Sequence, residues 1–178
     1  YISLDRSTLL VKHNSVTGDI IWQSQVIDPD SERAGLIGRP AEAPDGRIYL
    51  PSAMDKQILV LSPEGEFLTS FGEPGSRRGN MQFPVGVSFD PEGRLLVLDR
   101  MRHRILLFDS NHRFMTEFGR LGNGPGEMYH PTAIAASSEG RILIAQGFEG
   151  RVHMFLLRDT AGTLTDPKPA HNNEGEKR

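Results

Sequence analysis

Arginines give one region of the chain a local positive charge. Between residues 77 and 120 there are eight arginines and five acidic residues, in a chain whose net charge is −3. Guanidinium groups bind carboxylate and phosphate oxygens through paired N–H donors. The region could therefore bind an anionic partner, although we favour a solvated rim in which the arginines pair with Asp99 and Glu117. The candidate residues are Arg77, Arg78, Arg100, Arg102, His103 and Arg120.

Three apolar residues recur at equal spacing and could contact a partner. Met54, Met101 and Phe148 lie 47 residues apart, each shortly after an apolar run. If exposed, they would form a strip of adaptable contacts of the kind that methionine provides at binding surfaces. The alternative, which we favour, is that each side chain packs between neighbouring repeats.

The 47-residue spacing extends through the chain and defines its architecture. The segments that begin at Gly46, Gly93 and Gly140 read GRIYL, GRLLV and GRILI, again at intervals of 47 residues. A fixed period of this length is typical of repeat folds in which each repeat is one supersecondary unit.

One repeat contains four short β-type runs, here named a to d in chain order. In the best-defined repeat they are residues 85–89, 95–98, 104–108 and 114–118, and no window shows helical spacing of apolar residues. Turn sequences such as that of residues 90–93, Asp-Pro-Glu-Gly, separate the runs. Four antiparallel strands per period predict an all-β fold, a β-propeller with about four consecutive blades.

The first and last blades are expected to be incomplete. Residues 1–24 provide b, c and d, residues 36–72 and 83–119 form whole blades, and residues 130–158 provide a, b and c. Residues 159–178 are polar and have the composition of a disordered tail. We expect further N-terminal blades to close a ring, with an upstream segment supplying the outer strand of the last blade.

The alternation of strand direction places the b–c and d–a loops on one face, and all the candidate binding residues above lie there. At the b–c hairpin, Arg104 and Arg151 start strand c, with Gln57 at the equivalent place. A hydrogen-bonded pair between Arg104 and Asp99 is predicted to fix this hairpin. The repeated glycines Gly46, Gly93 and Gly140 are predicted to be turn residues with positive φ.

No catalytic or metal-binding arrangement can be derived from the spacing. The six histidines occupy unlike positions in the repeat, and only His130 lies near the start of an inner strand. Residues 85–89 and 132–136 contain no Asp, Glu or Asn that could bind calcium, and the chain has no cysteine. We therefore expect no catalytic residue, no metal and no cofactor. The apolar runs are also far shorter than the roughly 20 residues of a membrane-spanning helix.

The repeat around residues 83–109 resembles an NHL repeat. Each repeat of that family begins with Pro-x-Gly and a hydrophobic residue. It then has a strand that ends in Asp, followed by Asn-His-Arg and a hydrophobic residue. Arg102 stands where the family usually has Asn, and the other blades match less well. The matching residues are Pro84, Gly86, Asp99, His103, Arg104 and Ile105.

The resemblance implies a six-bladed propeller but leaves its function open. The interpretation that we favour is a non-enzymatic scaffold that binds a protein through the face with the b–c and d–a loops. The alternatives are RNA binding through the arginine-rich face, and a metal-dependent lyase or lactonase whose site is completed by further blades. Bacterial proteins of this kind are often exported, so the resemblance favours an extracytoplasmic location, periplasmic or secreted.

Overall fold

The structure is a computed structural model and describes residues 2–5, 9–25, 36–148 and 150–157. These residues form β-strands and turns, and no helix that could span a membrane occurs among them. Most strands belong to four antiparallel sheets in which the spatial order follows the chain order.

Each sheet takes its strands from one sequence repeat. The first sheet contains β1 (Ile2–Asp5), β2 (Leu9–His13) and β3 (Ile20–Gln25), and the second contains β4 (Ala41–Glu42), β5 (Ile48–Ser52), β6 (Gln57–Leu61) and β7 (Phe67–Phe71). The third sheet contains β8 (Pro84–Phe89), β9 (Leu95–Asp99), β10 (Arg104–Phe108) and β11 (Phe114–Phe118), and the loop after it contains a short parallel pair, β12 (Arg120–Leu121) and β13 (Glu127–Met128). The fourth sheet contains β14 (Ala133–Ala136), β15 (Arg141–Gln146) and β16 (Arg151–Leu156). We call the four sheets blades 1 to 4. The predicted fold class is confirmed: blades 2 and 3 have four strands each, and blades 1 and 4 have three each among the residues that the structure describes.

The hairpin turns have the backbone that their glycines require. The three repeated glycines have φ of +87° at Gly46, +74° at Gly93 and +72° at Gly140. Residues other than glycine rarely adopt this left-handed backbone conformation. These values agree with the turns expected from the sequence.

Blades pack on one another because successive residues of a strand point to opposite faces of the sheet. In β9, Leu95 and Val97 belong to the apolar cluster shared with blade 2, whereas Leu96 and Leu98 belong to the cluster shared with blade 4. All four side chains are at most 2% exposed. Because both faces of a central strand are buried, its sequence is a continuous apolar run rather than an alternation of apolar and polar residues.

The segment before β4 approaches β8 of the next blade closely at Gly38. The Arg39 N–H donates to the Val85 carbonyl at 3.0 Å, which links blade 2 to β8. A Cβ atom at Gly38 would lie only 2.4 Å from that same carbonyl oxygen. Glycine at this position therefore allows the two blades to meet.

The face of blade 4 that points away from blade 3 has exposed apolar side chains. Leu143 is 43% exposed and Met154, its partner across the β15–β16 pair, is 46% exposed. The neighbouring Ile142 and Ile144 point to the other face and are completely buried. The tail predicted for residues 159–178 lies outside the described residues, as does residue 158 of the last predicted blade.

Candidate functional site

The candidate face is organised around the carboxylate of Asp99, which is completely buried at the end of β9. It accepts backbone N–H groups from the d–a loop, Gln82 at 2.6 Å and Phe83 at 3.2 Å. It also accepts those of the b–c loop, Met101 at 3.1 Å and Arg102 at 3.0 Å. One side chain thus joins the two loops that form this face.

The predicted Arg104–Asp99 hydrogen bond is wrong. The two residues are partners in the β9–β10 register, as expected, but within the described structure no hydrogen bond or ion pair joins their side chains. The backbone N–H groups occupy the carboxylate instead. In blade 4, the Arg151 guanidinium donates to the Asn123 carbonyl at 3.0 Å. The repeat predicted where these residues lie but not their partners, because Asp99 turns toward the loops.

Arg102, one of the candidate binding residues, is buried in an ion pair rather than solvated. Its guanidinium donates to both carboxylate oxygens of Glu117 at 2.8 Å, and the side chains are 7% and 8% exposed. The same guanidinium also donates to the Asn80 carbonyl at 2.7 Å. Arg102 therefore fixes the d–a loop against blade 3, and the sequence-based suggestion that Glu117 pairs with an arginine of this cluster is confirmed.

The environment of Glu117 stabilises its charged form. Burial alone would raise the pKa of this carboxyl, but hydrogen bonds from Arg102 and from the Gly79 N–H lower it. The charges of Arg102 and Arg104 act in the same direction, so the pKa lies below its ordinary value.

The other arginines of the cluster differ in their partners and in their exposure. Arg120 donates to Glu127 at 2.8 Å while remaining largely exposed. Arg78 donates to the Thr116 hydroxyl at 3.3 Å and lies 5.9 Å from the centre of the Phe114 ring. Arg77 is exposed and Arg100 is half-buried. The positive charge is therefore partly neutralised within the fold.

The three apolar residues in register are exposed. Met54 is 45% exposed, Met101 57% and Phe148 82%, each in the b–c loop of its blade. The Tyr129 ring, on the adjacent d–a loop, lies 6.3 Å from that of Phe148. Packing between blades, the interpretation that the sequence favoured, is therefore wrong for these side chains.

A second set of apolar residues in register was missed from the sequence. Ile21, Leu68 and Met115 are the second residues of β3, β7 and β11 and are 56%, 51% and 48% exposed. They lie on the outermost strands rather than in the loops. Comparison of positions 47 residues apart would have found them, because the spacing is the same.

The opposite face carries a polar pair that the sequence did not indicate. The Tyr49 hydroxyl lies 2.9 Å from His112 Nε2, and the His112 ring stacks on Phe71 with centres 4.2 Å apart. Both groups border a cavity of about 200 Å³ between blades 2 and 3. Burial raises the pKa of Tyr49 and lowers that of His112, where the charge of Arg47 acts in the same direction.

His103 and His130 come together although they are 27 positions apart in the chain. His103 lies in the b–c loop of blade 3 and His130 in the d–a loop before β14, and their ring centres are 5.8 Å apart. Within the described ranges, no group of three or more His, Asp or Glu side chains is placed to hold a metal ion.

Comparison with known families supports the propeller fold. The model of the DUF5128 family, described as a 6-bladed beta-propeller, matches residues 87–160. No curated protein matches the sequence.

Solved structures of propellers match most of the chain at low sequence identity. A structural genomics protein from Bacteroides thetaiotaomicron VPI-5482 aligns with a TM-score of 0.67 at 14% identity, over 86% of this chain and 43% of its own. The virginiamycin B lyase of Staphylococcus aureus aligns with a TM-score of 0.54 at 15% identity, over 89% and 55%. The RRP9 WD40 repeats align with a TM-score of 0.65 at 14% identity, over 92% and 46%.

This chain thus spans about half the length of each of these structures. At such identities the likeness shows the fold, and the chain consists of β-propeller blades. The matched structures include both a lyase and WD40 repeats, so function has to be argued from the site.

Proposed function

We propose that the chain is a non-enzymatic propeller scaffold that binds a protein partner through the face with the b–c and d–a loops. The observation that carries this proposal is the exposure of Met54, Met101 and Phe148 at one blade position on three successive blades. Flexible methionines and an exposed aromatic ring are residues that protein interfaces favour.

The rigidity of the loops supports the same function. Asp99 and the Arg102–Glu117 pair fix the loops beneath Met101 through buried hydrogen bonds. A loop held in this way loses little conformational freedom on binding, which favours affinity. RNA matches the face less well, because Arg102 and Arg120 are paired with carboxylates of the chain.

We also propose that the blades are of the NHL type. The support is in blade 3. Pro84 is the first residue of β8 and Asp99 is the last residue of β9, and the two are register partners. His103 and Arg104 follow in the order that the family shows. In this assignment the Asp is a buried acceptor for loop N–H groups, which explains why a carboxylate is suited to that position.

A peptide-selection experiment tests the proposed binding face. Peptides selected from a random displayed library on the full chain would be measured against a variant with Met54→Ser, Met101→Ser and Phe148→Ser. Loss of three central apolar contacts should weaken binding by at least about 10-fold, since each interface anchor is worth about 1 kcal/mol or more.

The chain offers a matched control in Ile21→Ser, Leu68→Ser and Met115→Ser, which removes three similarly exposed apolar residues from the outer strands. This variant should bind the peptides as the parent does, with circular dichroism confirming that both variants are folded. Undiminished binding by the loop variant, or binding lost only in the outer-strand variant, would refute the proposed face.

A further inference from the structure

Three buried polar atoms without a partner belong to residues of blades 3 and 4 and of the loop between them. They are His103 Nε2, His130 Nδ1 and Gln146 Nε2, and in the described part of the chain they are the buried side-chain nitrogens or oxygens that make no hydrogen bond. Buried polar groups are nearly always paired, so these three atoms need an explanation.

The first of these atoms is a lone-pair donor suited to a metal. His103 Nδ1 lies 3.1 Å from the Met101 carbonyl oxygen, which can only accept, so Nδ1 carries the hydrogen. In a neutral imidazole the other nitrogen, Nε2, then has a free lone pair. A backbone carbonyl that orients a histidine in this way is the usual second partner of a metal-binding imidazole.

The second atom, His130 Nδ1, belongs to a ring whose distance from the His103 ring is compatible with a shared ion. An imidazole nitrogen binds zinc at about 2 Å, so the centres of two rings that share one ion lie about 5–6 Å apart. The ring centres of His103 and His130 are 5.8 Å apart with an interplanar angle of 61°.

The third atom is a donor on Gln146, which is hydrogen-bonded to the residue before His130. Gln146 is 1% exposed, and its carboxamide oxygen accepts the Tyr129 N–H at 2.5 Å. That bond identifies the unpaired atom as the NH₂ group, next to the residue that precedes His130. An NH₂ group can hold an oxygen ligand of a metal ion, such as water or a carboxylate.

We infer that His103 Nε2 and His130 Nδ1 bind a divalent transition-metal ion, with Zn²⁺ the best match to two imidazoles and oxygen ligands. The remaining ligands come from solvent or from a bound carboxylate, which the Gln146 amide positions. The site joins the b–c loop of blade 3 to the d–a loop of blade 4, and it does not depend on the proposed protein partner.

Metal titration of the full chain tests this inference. Calorimetry with ZnCl₂ and visible absorption with CoCl₂ should show one ion per chain. His103→Ala and His130→Ala should each weaken binding by about 100-fold or more, whereas His153→Ala, in β16, should leave it unchanged.

A gain-of-affinity variant separates metal binding from loss of folding. Gln146→Glu keeps an oxygen to accept the Tyr129 N–H and adds a carboxylate, which is a zinc ligand, so this variant should bind Zn²⁺ more tightly than the parent. The inference is overturned if the parent chain shows no saturable Zn²⁺ or Co²⁺ binding up to millimolar concentration. It is also overturned if folded His103→Ala and His130→Ala variants bind as the parent does.

Discussion

The guanidinium of Arg102 meets the carboxylate of Glu117 in a two-point ion pair, with both N–O distances 2.8 Å. Arg102 lies in a b–c loop and Glu117 on the outer strand of the same blade, while the Asn80 carbonyl that Arg102 also binds belongs to the preceding d–a loop. Arg102, a candidate binding residue in the sequence, therefore stabilises the two loops that form the binding face.

Replacing Arg102 by methionine should strongly destabilise the fold. The change leaves the Glu117 carboxylate buried without its partner, which typically costs about 3–5 kcal/mol. Urea unfolding monitored by circular dichroism would measure the free energy of unfolding.

Arg120→Met provides the control for that prediction, because Arg120 forms an ion pair of the same length with Glu127 but is 68% exposed. Its loss should destabilise the fold far less than the loss of Arg102, because solvent screens an exposed pair. Equal effects of the two substitutions would show that burial does not strengthen the Arg102–Glu117 pair.

Asp99→Asn should destabilise blade 3. The carboxylate accepts hydrogen bonds from backbone N–H groups, and the NH₂ group that replaces one of its oxygens cannot accept them. Leaving such buried donors unpaired costs about 1–3 kcal/mol each. Amide hydrogen exchange should show faster exchange at Gln82, Phe83 and Met101 in particular. Unchanged protection at these three amides would contradict the role given to Asp99.

Stability should fall in mild acid because of His112. Burial lowers the pKa of His112 in the folded protein, so the unfolded chain takes up the proton more readily. The stabilising effect is therefore complete above the unfolded pKa of about 6.5 and is lost as the pH falls through that value toward the folded-state pKa. Urea unfolding at a series of pH values should show a smaller pH dependence for His112→Asn than for the parent.

Gly38→Ala should disturb the contact between blades 2 and 3. The added Cβ would lie 2.4 Å from the Val85 oxygen and 2.7 Å from Pro51 Cγ, so backbone has to move. We expect a loss of about 1–3 kcal/mol in the free energy of unfolding.

Gly93→Ala separates this steric effect from a general effect of losing glycine. Gly93 has φ of +74° and open space around an added Cβ, so its replacement should cost about 1–2 kcal/mol from the backbone conformation alone. Thermal unfolding in which Gly38→Ala is the milder of the two changes would argue against the close approach at Val85.

The fold could be predicted because the repeat is redundant. Each blade carries the same turn glycine and the same apolar runs, so Gly46, Gly93 and Gly140 identify the hairpins independently. Local turn chemistry and strand periodicity are properties of short segments, and they are visible in the sequence.

The candidate site could be predicted only in part. Its loops and the residues in them followed from the repeat, including the spacing of Met54, Met101 and Phe148. Whether those side chains were exposed did not follow, since exposure depends on what the neighbouring blade places against them.

The sequence by itself thus determined the propeller fold, the strand order and the loops that share a face. Only the tertiary structure decided that Asp99 serves backbone N–H groups rather than Arg104, that Arg102 is buried against Glu117, and that His103 meets His130. The reason is physical. Strand pairing depends on residues a few positions apart, whereas the partner of a side chain is set by the packing of one blade against the next.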